Sequence, residues 1–195
     1  MAQIIKIVNY RAGNIASVKN AFARLGFALE MATAPSDIAA ADKVVFPGVG
    51  HARPAMENLT ASGMAAALQA FRRPVLGICL GMQLMASLSE EGETPGLGFF
   101  REKIIRFNTG LKVPHMGWNA VTNLRGPLFR GIDEGSFFYF VHSYYMPESP
   151  EAIALSHYDG PFTAAAASNN FYGVQFHPEK SGEAGATLLK NFIEL

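Results

Sequence analysis

The stretch Arg73-Pro74-Val75-Leu76-Gly77-Ile78-Cys79-Leu80-Gly81-Met82-Gln83 carries the chain's single cysteine. Val75, Leu76 and Ile78 form an apolar run without a charge, which predicts a buried parallel strand, and the run from Leu80 to Leu88 predicts a helix. Cys79 therefore falls on the junction. A side chain at a strand-to-helix turn is lifted out of the sheet, and Gly77 and Gly81 leave room for such a bend. The same turn points the first free N–H groups of the helix at whatever the thiol attacks, so one stretch offers a nucleophile and a place for negative charge. An unpaired cysteine is also a common apolar filler of cores. Taken alone, the stretch leaves both readings open.

Chemistry at a thiol needs a base. The apolar run Phe171 to Phe176 leads straight into His177-Pro178-Glu179. Extended residues two apart point to the same side, so the imidazole and the carboxylate can lie together, and Pro178 marks the end of the strand. A free thiol with a pKa of about 8.5 is ionised to only a few per cent at neutral pH, so pairing with a histidine oriented by an acid is what activation requires. In isolation, His-Pro-Glu reads more readily as a solvated turn. Pro47-Gly48-Val49-Gly50 follows another β-branched run and reads as an ordinary glycine-rich turn, or, beside Cys79, as a second oxyanion donor. The other histidines, His51, His115, His142 and His157, lack paired ligand spacing, so no metal is expected. His157 reads as a surface residue and His142 as a core histidine, while His51 and His115 sit in Pro/Gly loops that could line a cleft.

These residues need a frame. Ile4 to Val8, Phe27 to Met31 and Lys43 to Phe46 read as strands. Helices are expected over the Ile15, Val18, Phe22, Leu25 periodicity and from Pro35-Ser36-Asp37. Such alternation implies an α/β fold with a mostly parallel central sheet and helices on both faces. In such sheets the loops at the carboxyl ends of the strands carry the site, which gathers Asn9 to Asn14, Pro47 to His51 and Cys79 to Gly81 at one edge. From Gly96 the texture changes to aromatic and β-branched pieces, Phe99 to Phe107, Val113 to Met116, Phe137 to Val141, Ala152 to Ser156 and Phe162 to Ala166, which predict antiparallel hairpins and a smaller second sheet. Ala184, Leu188, Leu189, Phe192 and Ile193 line a closing helix. With no linker or repeat visible, residues 1–195 are expected to form one domain.

Of the 195 residues, 49% are hydrophobic and 16% charged, and sixteen basic residues balance sixteen acidic ones. That balance argues against nucleic acid or anionic membrane as the main partner. The lone cysteine excludes an internal disulfide, the opening residues are too short and strand-like for a secretory signal, and no apolar run reaches a membrane span. A cytoplasmic location is the expectation.

Pro47-Gly48-Val49-Gly50, Gly77-Ile78-Cys79-Leu80-Gly81-Met82-Gln83 and Gly173-Val174-Gln175-Phe176-His177-Pro178-Glu179, in that order, resemble the class I (triad) glutamine amidotransferases, whose fold is flavodoxin-like. Val113-Pro114-His115-Met116-Gly117-Trp118-Asn119, Tyr139-Phe140-Val141-His142-Ser143-Tyr144 and Lys180-Ser181 narrow the resemblance to the glutaminase subunits of imidazole glycerol phosphate synthases; related amidotransferases lack the His-Met-Gly-Trp-Asn segment. The resemblance implies Cys79 as nucleophile, His177 as general base and then acid, and Glu179 as its orienter. It further implies Val49, Gly50 and Leu80 as oxyanion donors, Gln83, Glu93, Ser143 and Tyr144 as glutamine contacts, and Asn14, Trp118, Tyr139 and Lys180 at a partner interface. The implied partner is a (β/α)8-barrel cyclase subunit that receives ammonia and makes imidazole glycerol phosphate and an aminoimidazole carboxamide ribotide, with no cofactor. A chain ending just after its last helix suits a separate partner polypeptide. The first loop departs from the family: Asn9-Tyr10-Arg11-Ala12-Gly13-Asn14 stands where Asp-Tyr-Gly usually precedes Gly-Asn, so the docking edge can differ in detail.

Three alternatives compete. The chain could serve another synthase of the anthranilate or aminodeoxychorismate type. A cysteine hydrolase on the same elbow would place histidine directly after the cysteine, where Leu80 stands. A non-catalytic interaction module would be expected to lose Cys, His or Glu. Two glycines in the oxyanion loop also predict that the free chain holds the wrong peptide orientation until docking turns it.

Overall fold

The computed structural model describes residues 3–10 and 14–195. Arg11, Ala12 and Gly13 of the atypical first loop therefore lie outside the described residues. The first half alternates as β1 (Ile5–Val8), α1 (Ile15–Arg24), β2 (Leu29–Ala32), α2 (Pro35–Ala40), β3 (Lys43–Phe46), α3 (Ala52–Ala61), α4 (Met64–Ala70), β4 (Val75–Ile78) and α5 (Leu80–Met85). The second half brings β5 (Leu88–Ser89), β6 (Thr94–Pro95), β7 (Lys103–Arg106), β8 (His115–Ala120), β9 (Phe137–His142), β10 (Tyr144–Tyr145), β11 (Ala152–His157), β12 (Pro161–Ser168), β13 (Phe171–Val174) and α6 (Gly182–Glu194).

Seven strands form the main sheet in the order β11-β12-β13-β4-β3-β1-β2. β2, β1, β3, β4 and β13 run parallel, and β12 and β11 close the edge antiparallel. Strand side chains alternate between faces, so Leu76 and Ile78 enter one core while Val75 enters the other. Helices α1 and α6 cover the first face with Val18, Phe22, Leu188 and Phe192; α2 to α5 cover the second with Ile38, Leu59, Leu68 and Met82. The expected layers of a parallel α/β protein are present. A four-stranded sheet, β10-β7-β5-β6, and the β8–β9 hairpin complete the fold.

Four local expectations are corrected. Helix α5 stops at Met85 rather than Leu88: Ala86 turns extended and Leu88–Ser89 pairs with β6 and β7. Strand β13 ends at Val174, before Phe176, and within Phe99 to Phe107 only Lys103–Arg106 is strand. Helices α3 and α4 go beyond the elements that the sequence pattern predicts, although Ala52, Ala55 and Leu59, then Met64 and Leu68, supply the buried face.

Candidate active site

Cys79 sits between β4 and α5 with φ 53° and ψ −110°, a backbone conformation costly for any residue but glycine. Its N–H donates to Val174 O at 2.8 Å, which anchors the bend to β13. The bend is possible because Gly81 lies against the loop after β3: a Cβ there would strike the Phe46 carbonyl oxygen. Strain is thus held in place by a close backbone crossing between two parallel β-α connections. Cys79 is buried, and its thiol lies 3.9 Å from Val141 O on β9.

Leaving β13, the chain passes Gln175 and Phe176 and reaches His177, which the Pro178–Lys180 3₁₀ turn follows. Turn rather than strand spacing brings the two side chains together: His177 Nδ1 and Glu179 Oε1 are 2.9 Å apart, both side chains nearly fully buried. With Nδ1 committed to the acid, Nε2 is the nitrogen left for chemistry, and it is buried. Burial pulls the proton affinity of the ring down, but the hydrogen bond and charge of Cys79, followed by those of Glu179, overcome it and push the His177 pKa up to about 10. Sulfur and imidazole are therefore neighbours, with the carboxylate behind the ring. Ser181 ties this loop to β9: its hydroxyl donates to His177 O at 2.6 Å and accepts from Tyr139 N at 3.0 Å, while His177 N donates to Tyr139 O at 2.8 Å.

In front of the thiol lies a cleft of about 290 Å³ lined by Val49, Gly50, Cys79, Leu80, Gln83 and Ser143, together with Glu91, Pro114, Val141, His142 and Tyr144. The structure thus gathers the expected oxyanion residues and three of the four expected substrate residues around Cys79. Glu93 is the exception. It lines a separate surface pocket with Arg53 and Glu57, whereas the carboxylate at the cleft is Glu91, whose Oε2 accepts from Ala52 N at 2.7 Å. Gln83 Nε2 donates both to Tyr144 O at 2.9 Å and to Gln175 Oε1 at 3.0 Å. Both hydrogens are used, so Oε1 is what Gln83 has left to offer, an acceptor. Leu80 N–H donates to Gly48 O at 3.3 Å. One expected oxyanion donor is therefore occupied by the loop meant to work with it. Tyr10 holds that loop, its buried hydroxyl donating to Pro47 O at 2.7 Å; burial, then the charge of Cys79, raises its pKa.

The β8–β9 hairpin has two characters because paired residues share a face. His115 opposes His142 on the inner face, Nδ1 to Nε2 at 2.9 Å, and His142 Nδ1 lies 2.8 Å from Tyr144 O. Desolvation lowers the His115 pKa to about 4 and the His142 pKa to about 3, so both rings are neutral at physiological pH. His51 caps α3, its Nδ1 accepting from Arg53 N at 3.3 Å, and His157 is exposed. On the outer face Trp118 opposes Tyr139 and Phe137 opposes Ala120. Met116, Trp118 and Phe137 are 61%, 55% and 58% exposed, a large apolar patch for an isolated surface. Trp118 is thus no core aromatic. The Lys180 ammonium lies 5.6 Å from the centre of the Tyr139 ring, beside the patch, and Asn14 stands at the N-cap position of α1, beyond the carboxyl end of β1, without a side-chain capping bond. Sequence reasoning misses Gln175 and Glu91; the fully buried Gln175 carries a signal, a carboxamide inside an apolar run two residues before His177.

The family profile described as glutamine amidotransferase class-I matches residues 6–195. The chain is 50% identical to imidazole glycerol phosphate synthase subunit HisH of Bacteroides fragilis (strain YCH46), covering 98% of this chain and 99% of that protein. It is also 50% identical to subunit HisH of Haemophilus influenzae, covering 97% and 96%. Among solved structures, that of PurLQS from Thermotoga maritima superposes with a TM-score of 0.73 at 17% identity, covering 100% of this chain and 99% of that one, a likeness of fold. A strained cysteine at a β-α bend with a buried His-Glu pair beside it, in a chain matched from residue 6 to 195 and half-identical to HisH subunits over nearly its whole length, belongs to the class-I glutamine amidotransferase family, among the HisH subunits of imidazole glycerol phosphate synthase.

Proposed function

We propose that this chain hydrolyses L-glutamine to glutamate and ammonia through a thioester on Cys79 and delivers the ammonia to a cyclase subunit of imidazole glycerol phosphate synthase. The observation that carries the reading is the buried Cys79, His177 and Glu179 constellation at the wall of the cleft. Sulfur attacks the γ-carbonyl carbon of glutamine, and the S–C bond forms as the oxygen takes up negative charge. The protonated His177 ring gives its proton to the amide nitrogen, the C–N bond breaks, and ammonia leaves. Water then adds to the thioester with His177 taking its proton; the C–S bond breaks and glutamate departs. Glu179 holds the ring so that Nε2 faces the reacting atoms and stabilises the imidazolium. Val49, Gly50 and Leu80 N–H groups receive the oxyanion, and Gln83, Ser143 and Tyr144 hold the substrate. Gln83 Oε1, an acceptor, suits an N–H of glutamine. Glu91 takes the place given to Glu93.

The partner we infer is a (β/α)8-barrel cyclase docking on the outer face of β8–β9, through Trp118, Tyr139 and Lys180, with Asn14 nearby. Residues 1–195 would act as one domain in the cytoplasm; among the described residues no helix is long and apolar enough to cross a membrane. The Leu80 N–H bond to Gly48 O supports a device in which the free chain keeps its oxyanion pocket closed and docking turns the Gly48–Val49 peptide. Glutamate release from the free chain should accordingly be low and rise roughly tenfold to a hundredfold with the co-purified cyclase. High activity of the isolated chain would reject the closed pocket, and failure of the cyclase to co-purify while an anthranilate-type partner binds would reject the assignment.

A further inference from the structure

The Gln83 and Gln175 carboxamides form a buried ladder whose polarity is set at one end. A main-chain carbonyl can only accept, so the 2.9 Å bond from Gln83 to Tyr144 O requires Nε2 at that position. His142 Nδ1 meets the same carbonyl at 2.8 Å and must donate as well, which leaves its Nε2 to accept from His115. Gln83 Nε2 lies 3.0 Å from the next carboxamide, and were that group reversed, two NH2 groups would face each other. The atom there is therefore Gln175 Oε1, and Gln175 Nε2 is turned toward Cys79 Sγ, 3.7 Å away.

Gln175 is fully buried, and an unbonded carboxamide there would be destabilising. Its oxygen is satisfied by Gln83; among the bonds of the described residues, the sulfur is what its nitrogen donates to. A donor bond of this kind strengthens when the acceptor carries charge. It is weak to a thiol, stronger to a thiolate and weak again to the sulfur of a thioester. Such a bond helps the sulfur ionise for attack, and it helps it leave as thiolate when water cleaves the thioester.

We propose that Gln175 is a further catalytic residue, a carboxamide donor that stabilises the Cys79 thiolate and is held in that orientation by Gln83 and the Tyr144 carbonyl. The proposal rests on Cys79 being the nucleophile. Because Cys79 is the chain's only cysteine, its alkylation by iodoacetamide can be followed by mass in the complex with the cyclase. Gln175→Glu keeps the shape and the acceptor for Gln83 but faces the sulfur with an oxygen; Gln175→Met removes donor and acceptor together. In both, alkylation at neutral pH should slow about tenfold or more, and in alkali, where every thiol is ionised, it should match the unaltered chain. A folded variant whose alkylation follows the unaltered pH profile overturns the proposal, and either variant suffices. In the unaltered chain the side-chain amide resonance of Gln175 should move as the thiol ionises, and a resonance that stays put also overturns it. Failure of the nucleophile assignment would look different: Cys79→Ala would keep its hydrolytic activity.

Discussion

Cys79→Ala should reduce partner-dependent glutamate release by roughly 10⁴-fold or more, because triad members act as a unit and the loss of the nucleophile forfeits most of what they provide together. The hydrogen bond and charge that act on His177 beside those of Glu179 are those of Cys79, and among the described residues no hydrogen bond joins the Ser143 hydroxyl at the cleft to a histidine. The loss should be confined to one half of the reaction. With Cys79→Ala in the complex, added ammonium salt should restore the cyclase reaction, since the defect is in producing ammonia and not in using it. Substrate affinity should change little, because Gln83, Ser143 and Tyr144 are untouched. Full retention of glutamate release would remove Cys79 from the mechanism.

The second large effect belongs to the outer face of β8–β9. Trp118→Ala and Met116→Asp should each weaken binding to the cyclase partner roughly tenfold to a hundredfold, read by titration calorimetry, because exposed aromatic and methionine side chains at the centre of an apolar patch are where binding energy concentrates. Both residues are more than half exposed in the free chain, so the melting temperature should stay within a degree or two of the unaltered value. A variant that melts normally and binds normally would place the interface elsewhere. The hairpin also suggests how docking is felt at the site. Tyr139 on the outer face accepts from His177 N–H through its carbonyl and donates its own N–H to the Ser181 hydroxyl, so pressure on that face reaches the His177 loop within one residue.

The bend at Cys79 is legible in the sequence because its requirements are local. A cysteine between an apolar strand and an apolar helix stands at a bend, glycines on both sides leave room for it, and Gly81 stands where the Phe46 carbonyl leaves no space for a Cβ. Pairing of His177 with Glu179 is legible too, but for an incomplete reason. Strand spacing predicts it, and the 3₁₀ turn begun at Pro178 supplies the approach instead. What escapes is set by tertiary contacts. The choice between Glu91 and Glu93 depends on a turn in which Glu93 takes φ 48°, and neither residue type nor spacing encodes which carboxylate faces the cleft. Leu80 to Leu88 looks like one helix, yet pairing of Leu88–Ser89 with neighbouring strands ends it three residues early. Helices α3 and α4 are short and alanine-rich, so their periodic signal is weak although their buried faces are regular. Trp118 alone would be taken for core; only the pairing register of β8 with β9 puts it outside while His115 and His142 turn in.

The constellation is tested most directly by a glutamine analogue that carries an electrophilic carbon at the γ position. Incubated with the chain in complex with its cyclase, the analogue should form a single adduct, and peptide mass mapping should place it on Cys79 in the wild-type chain, with the adduct strongly slowed in His177→Ala. No adduct, an adduct on another residue, or one formed equally fast without His177 would contradict the account.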